Sequence, residues 1–318
     1  MNTEVFEKIK AIRGITIKHP QFEKAVRKIE RAFLSCSECS VPENLICIGP
    51  SGTGKSTLKN WFVDRYDRKD VNGCLNIPIL AIDTPSHPTV KNFAEAVLIE
   101  LGDPNYSRGS MQDKTNRIQL YLRQCEVKLI IFDELQHFVD QGTKSAQRSV
   151  SDWLKLLIDK SGVSTVLMGL ERSERILQEN EQIRRRFSHR VDLTPFSIDT
   201  HEDKKTFYGA IFVLDKSIAL PKRIEVDDNL LISFFYATNG VMGYLVKLML
   251  GAFEVAYFSR SKSISRKHLE VAFTDTIWSK GVGSNNPFSS SFAKRPLIRE
   301  GMPFYLESQP FIKEPNDA

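Results

Sequence analysis

Residues 49–56 read Gly49-Pro50-Ser51-Gly52-Thr53-Gly54-Lys55-Ser56, with Thr57 next. Glycines at the first and sixth positions followed by Lys-Ser form the pattern of a loop that curls backbone N–H groups around phosphate. In such a loop the lysine reaches the β- and γ-phosphates and the serine hydroxyl holds Mg²⁺. The helix opening at Lys55 adds the positive end of its dipole. A second group is Leu129-Ile130-Ile131-Phe132-Asp133-Glu134, an apolar run that delivers two carboxylates. Asp133 is expected to orient the Mg²⁺ shell, and Glu134 to polarise a water for attack on the γ-phosphate. A third is the run Arg184-Arg185-Arg186. A guanidinium offered to the γ-phosphate of a neighbouring subunit would stabilise transition-state charge. Arg186, beside Phe187, is the first expectation for that role and Arg185 the second; the bland alternative is a set of cations that favours a helix C-terminus.

Two further positions bear on the chemistry. The run Ser164–Met168 ends in Met168-Gly169-Leu170-Glu171. A polar residue at such a strand tip commonly positions water; no Asn stands here, so the role is absent or passes to Thr165. Gln136 and His137 follow the acid pair but are neither metal-spaced nor paired with a nucleophile, and no catalytic role is expected of them. Cys36 and Cys39 form a C-x-x-C, but the other cysteines (Cys47, Cys74, Cys125) are solitary. Structural zinc needs four ligands, usually as two such pairs, so buried or incidental thiols are expected.

The elements that must position these residues alternate. Phe22, Val26, Ile29 and Phe33 mark one helical face over residues 20–35, with Pro20 at its first turn. Apolar runs at Leu45–Ile48, Ile77–Ile82, Leu129–Phe132 and Thr165–Met168 read as strands, with a fifth at Arg190–Leu193. Helices are expected over Val90–Leu101, Asp113–Cys125 and Ala146–Ile158. Continuous apolar strands alternating with helices predict a parallel sheet covered on both faces. After Pro195 only helices are expected, over 199–215, 227–238, 241–259 and 265–279. The expected organisation is an α/β nucleotide-binding core over 1–198, a helical lid over 199–280, and an extended or disordered tail over 281–318. The tail carries Phe288, Phe292, Phe304, Tyr305 and Phe311, aromatics that suggest docking on a partner or neighbouring subunit, the commoner alternative being an inert tail.

The chain has 318 residues, 44 Lys+Arg against 39 Asp+Glu, and a formal net charge of +5. Apolar residues at 41% and charged residues at 26% are ordinary for a globular protein and exclude a fibrous or disordered one. No apolar run approaches the ~20 residues of a bilayer-spanning helix, and the N-terminus lacks a signal-peptide core. A cytoplasmic protein is expected. The slight basic excess permits nucleic-acid binding only if cations cluster.

The order of elements resembles the AAA+ ATPases: a P-loop domain with a five-stranded parallel sheet flanked by helices, and a small helical lid. It looks most like the transposition regulators of the TnsC/TniB family over residues ~15–280, by element order and motif spacing. Particular to that likeness are Glu134-Leu135-Gln136-His137, Gly169 at the strand tip, Arg185-Arg186-Phe187 followed by Leu193-Thr194-Pro195-Phe196, and Asn239-Gly240-Val241-Met242-Gly243-Tyr244 with Lys247 beyond. Many relatives open the lid helix with a sensor arginine where this chain has Gly243. Ile15-Thr16-Ile17 and His19-Pro20 resemble the segment lining an adenine pocket.

The resemblance implies an ATPase using ATP and Mg²⁺ at a subunit interface. It implies assembly on double-stranded DNA as a ring or filament, marking of a target site, and recruitment of a transposase with a target-selection partner. Lys91, Arg108, Lys114 and Arg117 are the candidate DNA contacts, and Arg260, Lys262, Arg266 and Lys267 a second basic group. The alternatives are a helicase or clamp loader of the same class, and a signalling switch ATPase that does not touch DNA.

Overall fold

The computed structural model describes residues 3–71, 74–87, 89–140, 143–178, 181–187 and 189–306. Two compact units emerge, one of residues 20–194 and the other of residues 1–19 with 195–318.

In the first unit α2 (Pro20–Cys39), β1 (Asn44–Ile48) and α3 (Lys55–Arg65) are followed by a short antiparallel ribbon, β2 (Lys69–Val71) with β3 (Cys74–Asn76). The chain continues through β4 (Ile79–Asp83), α4 (Val90–Glu100), α5 (Met111–Gln124), β5 (Leu129–Asp133), α6 (Gln136–Asp140), α7 (Lys144–Ser161) and β6 (Ser164–Gly169). It ends with α8 (Arg175–Gln178), α9 (Glu181–Arg186) and β7 (His189–Asp192). Five strands form one parallel sheet in the order β4-β5-β6-β1-β7. The ribbon between α3 and β4 was not expected; its strands are three residues each, too short for an alternating pattern to show.

The sheet explains why its strands read as unbroken apolar runs. Successive side chains point to opposite faces, and both faces are covered. Ile46, Ile48, Leu80, Ile82, Ile130, Phe132 and Leu167 join α4, α5 and α7 through Phe93, Val97, Ile118, Leu154 and Leu157. Leu45, Cys47, Ile79, Leu129, Ile131, Val166 and Met168 join α2 and α3 through Phe22, Ile29, Phe33, Leu58 and Phe62.

The second unit is helical: α1 (Thr3–Arg13), α10 (His201–Ile218), α11 (Asp228–Thr238), α12 (Met242–Phe258) and α13 (Arg266–Ala272). Ser and Thr caps start α10 and α13, each closed as a capping box. Two boundaries differ from expectation. Residues 1–19 belong here and not with the α/β unit, because Val5, Ile9 and Ile12 give α1 an apolar stripe that joins the cluster of α10 and α12. The segment after 281 is not an extended tail through residue 306. Phe288, Leu297 and Phe304 are buried in the helical core, and Arg266 holds the segment through Nε to the Phe288 carbonyl at 2.8 Å. Its irregular backbone has no period, so the sequence pattern concealed its packing; residues 307–318, including Phe311, lie outside the described residues. Among the described residues no single helix is long and apolar enough to cross a membrane, and the apolar pair α11 and α12 is bent by 113° and packs in this core.

Candidate functional site

Gly49 through Gly54 connect the C-terminal end of β1 to α3. Gly52 and Gly54 take φ of 79° and 99°, values glycine alone adopts freely. Thr53 Oγ1 donates to the Pro50 carbonyl at 2.9 Å and fixes the curve. Lys55 is buried, and its ammonium donates to the carbonyls of Gly49 at 2.7 Å and Pro50 at 2.9 Å. Burial holds its pKa below the ordinary lysine value, against the opposing pull of Asp133. Beneath the loop, burial pushes the Cys47 thiol up to about 12, leaving it inert. Pro50, Ser51, Gly52, Ser56 and Thr57 remain exposed around the buried lysine.

β6 lies between β1 and β5, so its C-terminal end stands between the loop and the acid pair. Gly49 N donates to the Gly169 carbonyl at 3.3 Å. Asp133 is fully buried, and Ser56 Oγ lies 3.4 Å from its Oδ2. The same oxygen is 3.1 Å from Lys59 Nζ, which also pairs with Asp83 at the tip of β4. A serine hydroxyl beside a buried carboxylate, both hard oxygen donors, fits a Mg²⁺ that is completed by phosphate oxygens and water. Glu134 follows at φ 59°, a left-handed conformation that turns the chain off the sheet into α6.

Gln136, of which no catalytic role was expected, lies against the acid pair. Its side chain is buried; Nε2 donates to Glu134 Oε2, and Oε1 accepts from Leu170 N at 3.2 Å. The available signal was its two-residue offset from the glutamate, but the partner at Leu170 lies 34 residues away. Thr165 cannot take the water-positioning role, because it sits buried at the opposite end of β6 and donates to the Val163 carbonyl.

The arginines separate clearly. Arg186 Nε pairs with Asp159 on α7 at 2.6 Å, and its Nη1 donates to the Gln182 carbonyl. Arg185 pairs with Glu181, one helical turn away, and its side chain is 77% exposed. Of the two, Arg185 is the one presented to solvent.

The expected DNA contacts divide as well. Lys114 is fully buried and donates to the Tyr106 and Arg108 carbonyls, with Glu95 at 3.0 Å, so it is a loop staple and cannot meet a phosphate backbone. Arg117 also faces inward, to Asp103 at 3.0 Å and to the Asn105 and Arg108 carbonyls. Lys91 and Arg108 are exposed. Within the helical unit, Lys247 is exposed on α12 and the His19 ring packs on Phe196 at 5.0 Å.

The family described as "Bacterial TniB protein" matches residues 8–197, more than half of the chain, spanning the loop, the acid pair and the arginine run. No curated protein matches the sequence. Among solved structures, the chain is similar to the ORC2 protein of Aeropyrum pernix in ADPNP–ADP complexes, at 14% identity and TM-score 0.59 over 80% of this chain and 67% of that one. It is similar to the ORC1 protein of the same organism in complex with DNA, at 16% identity and TM-score 0.61 over 82% and 66%. Cdc6p of Pyrobaculum aerophilum matches at 12% identity and TM-score 0.61 over 82% and 69%. The chain thus spans about two thirds of each of these proteins, and the likeness is one of fold.

Proposed function

The chain belongs to the bacterial TniB family and has the P-loop core of the AAA+ ATPases, and from that premise we propose that it is an ATP-dependent regulator of DNA transposition. In this reading it assembles as a ring or filament on double-stranded DNA, marks the target and recruits the transposase with a target-selection partner. The observation that carries the reading is the family match, which includes every residue assigned below.

The loop N–H groups and Lys55 bind the triphosphate, with Lys55 exchanging its carbonyl partners for phosphate oxygens. Ser56 and Asp133 would hold Mg²⁺, which when bound supplies Lewis acidity and charge neutralisation at the transferred phosphoryl group. Glu134 takes a proton from the attacking water. Arg185 of a neighbouring copy reaches the γ-phosphate, since Arg186 would first have to leave Asp159. Hydrolysis then releases neighbours from one another. Lys91 and Arg108 contact the DNA backbone, giving sequence-independent, salt-sensitive binding. The similarity in fold to the Aeropyrum pernix ORC1 protein, solved with DNA, agrees with this partner.

The test is gel filtration and electron microscopy with a non-hydrolysable ATP analogue and duplex DNA. The expected result is assemblies that require both. Assembly indifferent to DNA would favour the signalling switch, and a defined complex with a replicative helicase would favour the loader. Glu134→Gln should keep ATP binding, lower turnover ~10²-fold or more and leave assemblies locked; unchanged turnover rejects Glu134 as the base.

A further inference from the structure

Glu134 does not stand alone at the sheet edge. Its carboxylate Oε2 accepts from Gln136 Nε2, while the other end of that amide, Oε1, accepts from the backbone N–H of Leu170 at 3.2 Å. The amide orientation is fixed by chemistry: reversed, it would set an N–H against an N–H and an oxygen against a carboxylate. Gln136 is buried, and both contacts lie partly out of solvent, which strengthens them. Room for the amide comes from Gly169. A Cβ there would fall 2.3 Å from Ser173 Oγ and 3.1 Å from Gln136 Oε1.

We propose that Gln136 is a positioning residue for Glu134, tying its carboxylate to the tip of β6 and leaving Oε1 of the glutamate for the attacking water. This rests on the ATPase reading of the site and deepens it. The strand tip that carries no polar side chain receives one from α6. Any shift of the β6–Leu170 segment is transmitted through one amide to the general base. Gly169 is part of the device, since any side chain at that position crowds the amide and Ser173 Oγ.

The test uses the full chain with Gln136→Ala, Gln136→Glu and Gly169→Ala. Gln136→Glu keeps the acceptor for Leu170 but replaces the donor with a second carboxylate. For both Gln136 variants kcat should fall ten- to a hundredfold, the size of effect that outer-shell partners commonly have, while KM and the affinity for a fluorescent ATP analogue stay within about twofold. Gly169→Ala should follow in the same direction. Wild-type kcat in Gln136→Glu overturns the assignment, as does loss of analogue binding in step with kcat. A second measurement does not need turnover: melting temperatures of Glu134→Gln, Gln136→Ala and the double variant. Non-additive shifts support the contact, and additive shifts overturn it. Wild-type protein that fails to hydrolyse ATP with duplex DNA defeats the ATPase reading separately, because the melting comparison is independent of it.

Discussion

The ammonium of Lys59 stands 3.1 Å from Oδ2 of Asp133, the oxygen that Ser56 Oγ approaches at 3.4 Å. The buried acid therefore has a resident counter-charge on the same helix that begins at the phosphate loop, shared with Asp83 on the adjacent strand. Burial works against the Lys59 charge, but the hydrogen bonds and field of Asp83 and Asp133 outweigh it and hold its pKa above the ordinary 10.5.

Lys59→Met should consequently strip buried Asp133 of its ion-pair partner, leaving it the hydrogen bonds from Ser56 Oγ and Glu134 N and the field of Lys55. Breaking a buried pair by removing one partner costs about 3–5 kcal/mol, and the exposure of Asp83 argues for the lower end of that range. Thermal melting of the variant should show the loss, and Mg²⁺ without nucleotide should restore part of it, to a greater degree than in the wild-type protein. A raised lysine pKa contributes stability that is present in full below 10.5 and lost as pH rises through the higher folded value. The difference between variant and wild type should therefore persist across neutral pH and shrink only in strong alkali. Identical melting curves would show that the contact contributes nothing.

Lys55 has the opposite shift, and the sign of its effect on binding follows. Burial lowers its pKa from 10.5 before phosphate arrives. Polyphosphate favours the ammonium, so the bound value lies above the unbound one, and nucleotide binding takes up a proton between the two. Affinity should fall as pH climbs through the lowered value, at a pH below that of an ordinary lysine. Calorimetry in two alkaline buffers of different ionisation heat measures the uptake directly. Heats that do not depend on the buffer contradict the assignment, and Lys55→Ala should abolish both binding and DNA-dependent assembly.

The arginine order can be decided by separating stability from turnover. Arg186→Ala removes an ion pair that is one-third exposed on each side, worth at most about 1 kcal/mol, and should lower the melting temperature slightly. Arg185→Ala should leave melting and monomer binding of ATP unchanged while lowering turnover of assembled protein ~10³-fold. Mixing Arg185→Ala with Glu134→Gln subunits should restore some interfaces, because one copy supplies the arginine and the other the base. If Arg186→Ala loses turnover with its melting unchanged, and Arg185→Ala does not, the order is reversed.

What the sequence showed depended on how local each feature is. The phosphate loop is a run of eight adjacent residues, and the acid pair sits directly on its strand, so type and spacing carried both. The apolar strand runs declared a doubly covered sheet for the same reason. Sequence does not say which of Lys114 and Lys91 faces inward, since each lies near the start of an amphipathic helix. Only the fold turns Lys114 toward Glu95 and two loop carbonyls and leaves Lys91 outside. Gln136 needs the tip of β6, and Arg186 needs Asp159 on another helix. In each of these cases a polar side chain has its partner remote in sequence, which periodicity does not register.

The segment after residue 281 offers the strictest case, because its packing centres on one side chain. Asn286 is fully buried. Its Nδ2 donates to the Glu270 carbonyl at 2.9 Å and the Gly281 carbonyl at 2.8 Å, and its Oδ1 accepts from Phe288 N at 3.0 Å. Those bonds seat the Phe288 ring edge-on against Phe234 at 5.5 Å. Asn286→Ala leaves buried groups short of partners, at about 1–3 kcal/mol for a group left unsatisfied. Asn286→Asp should destabilise at least as much, since a carboxylate keeps the acceptor for Phe288 N but faces two carbonyls with its own negative charge. Phe288→Ala should cost about 3–5 kcal/mol through the cavity it opens. Melting, together with limited proteolysis after residue 281, measures all three. If the segment were a loose appendage, the Asn286 and Phe288 variants would melt with the wild type and protease would remove the segment from each at the same rate.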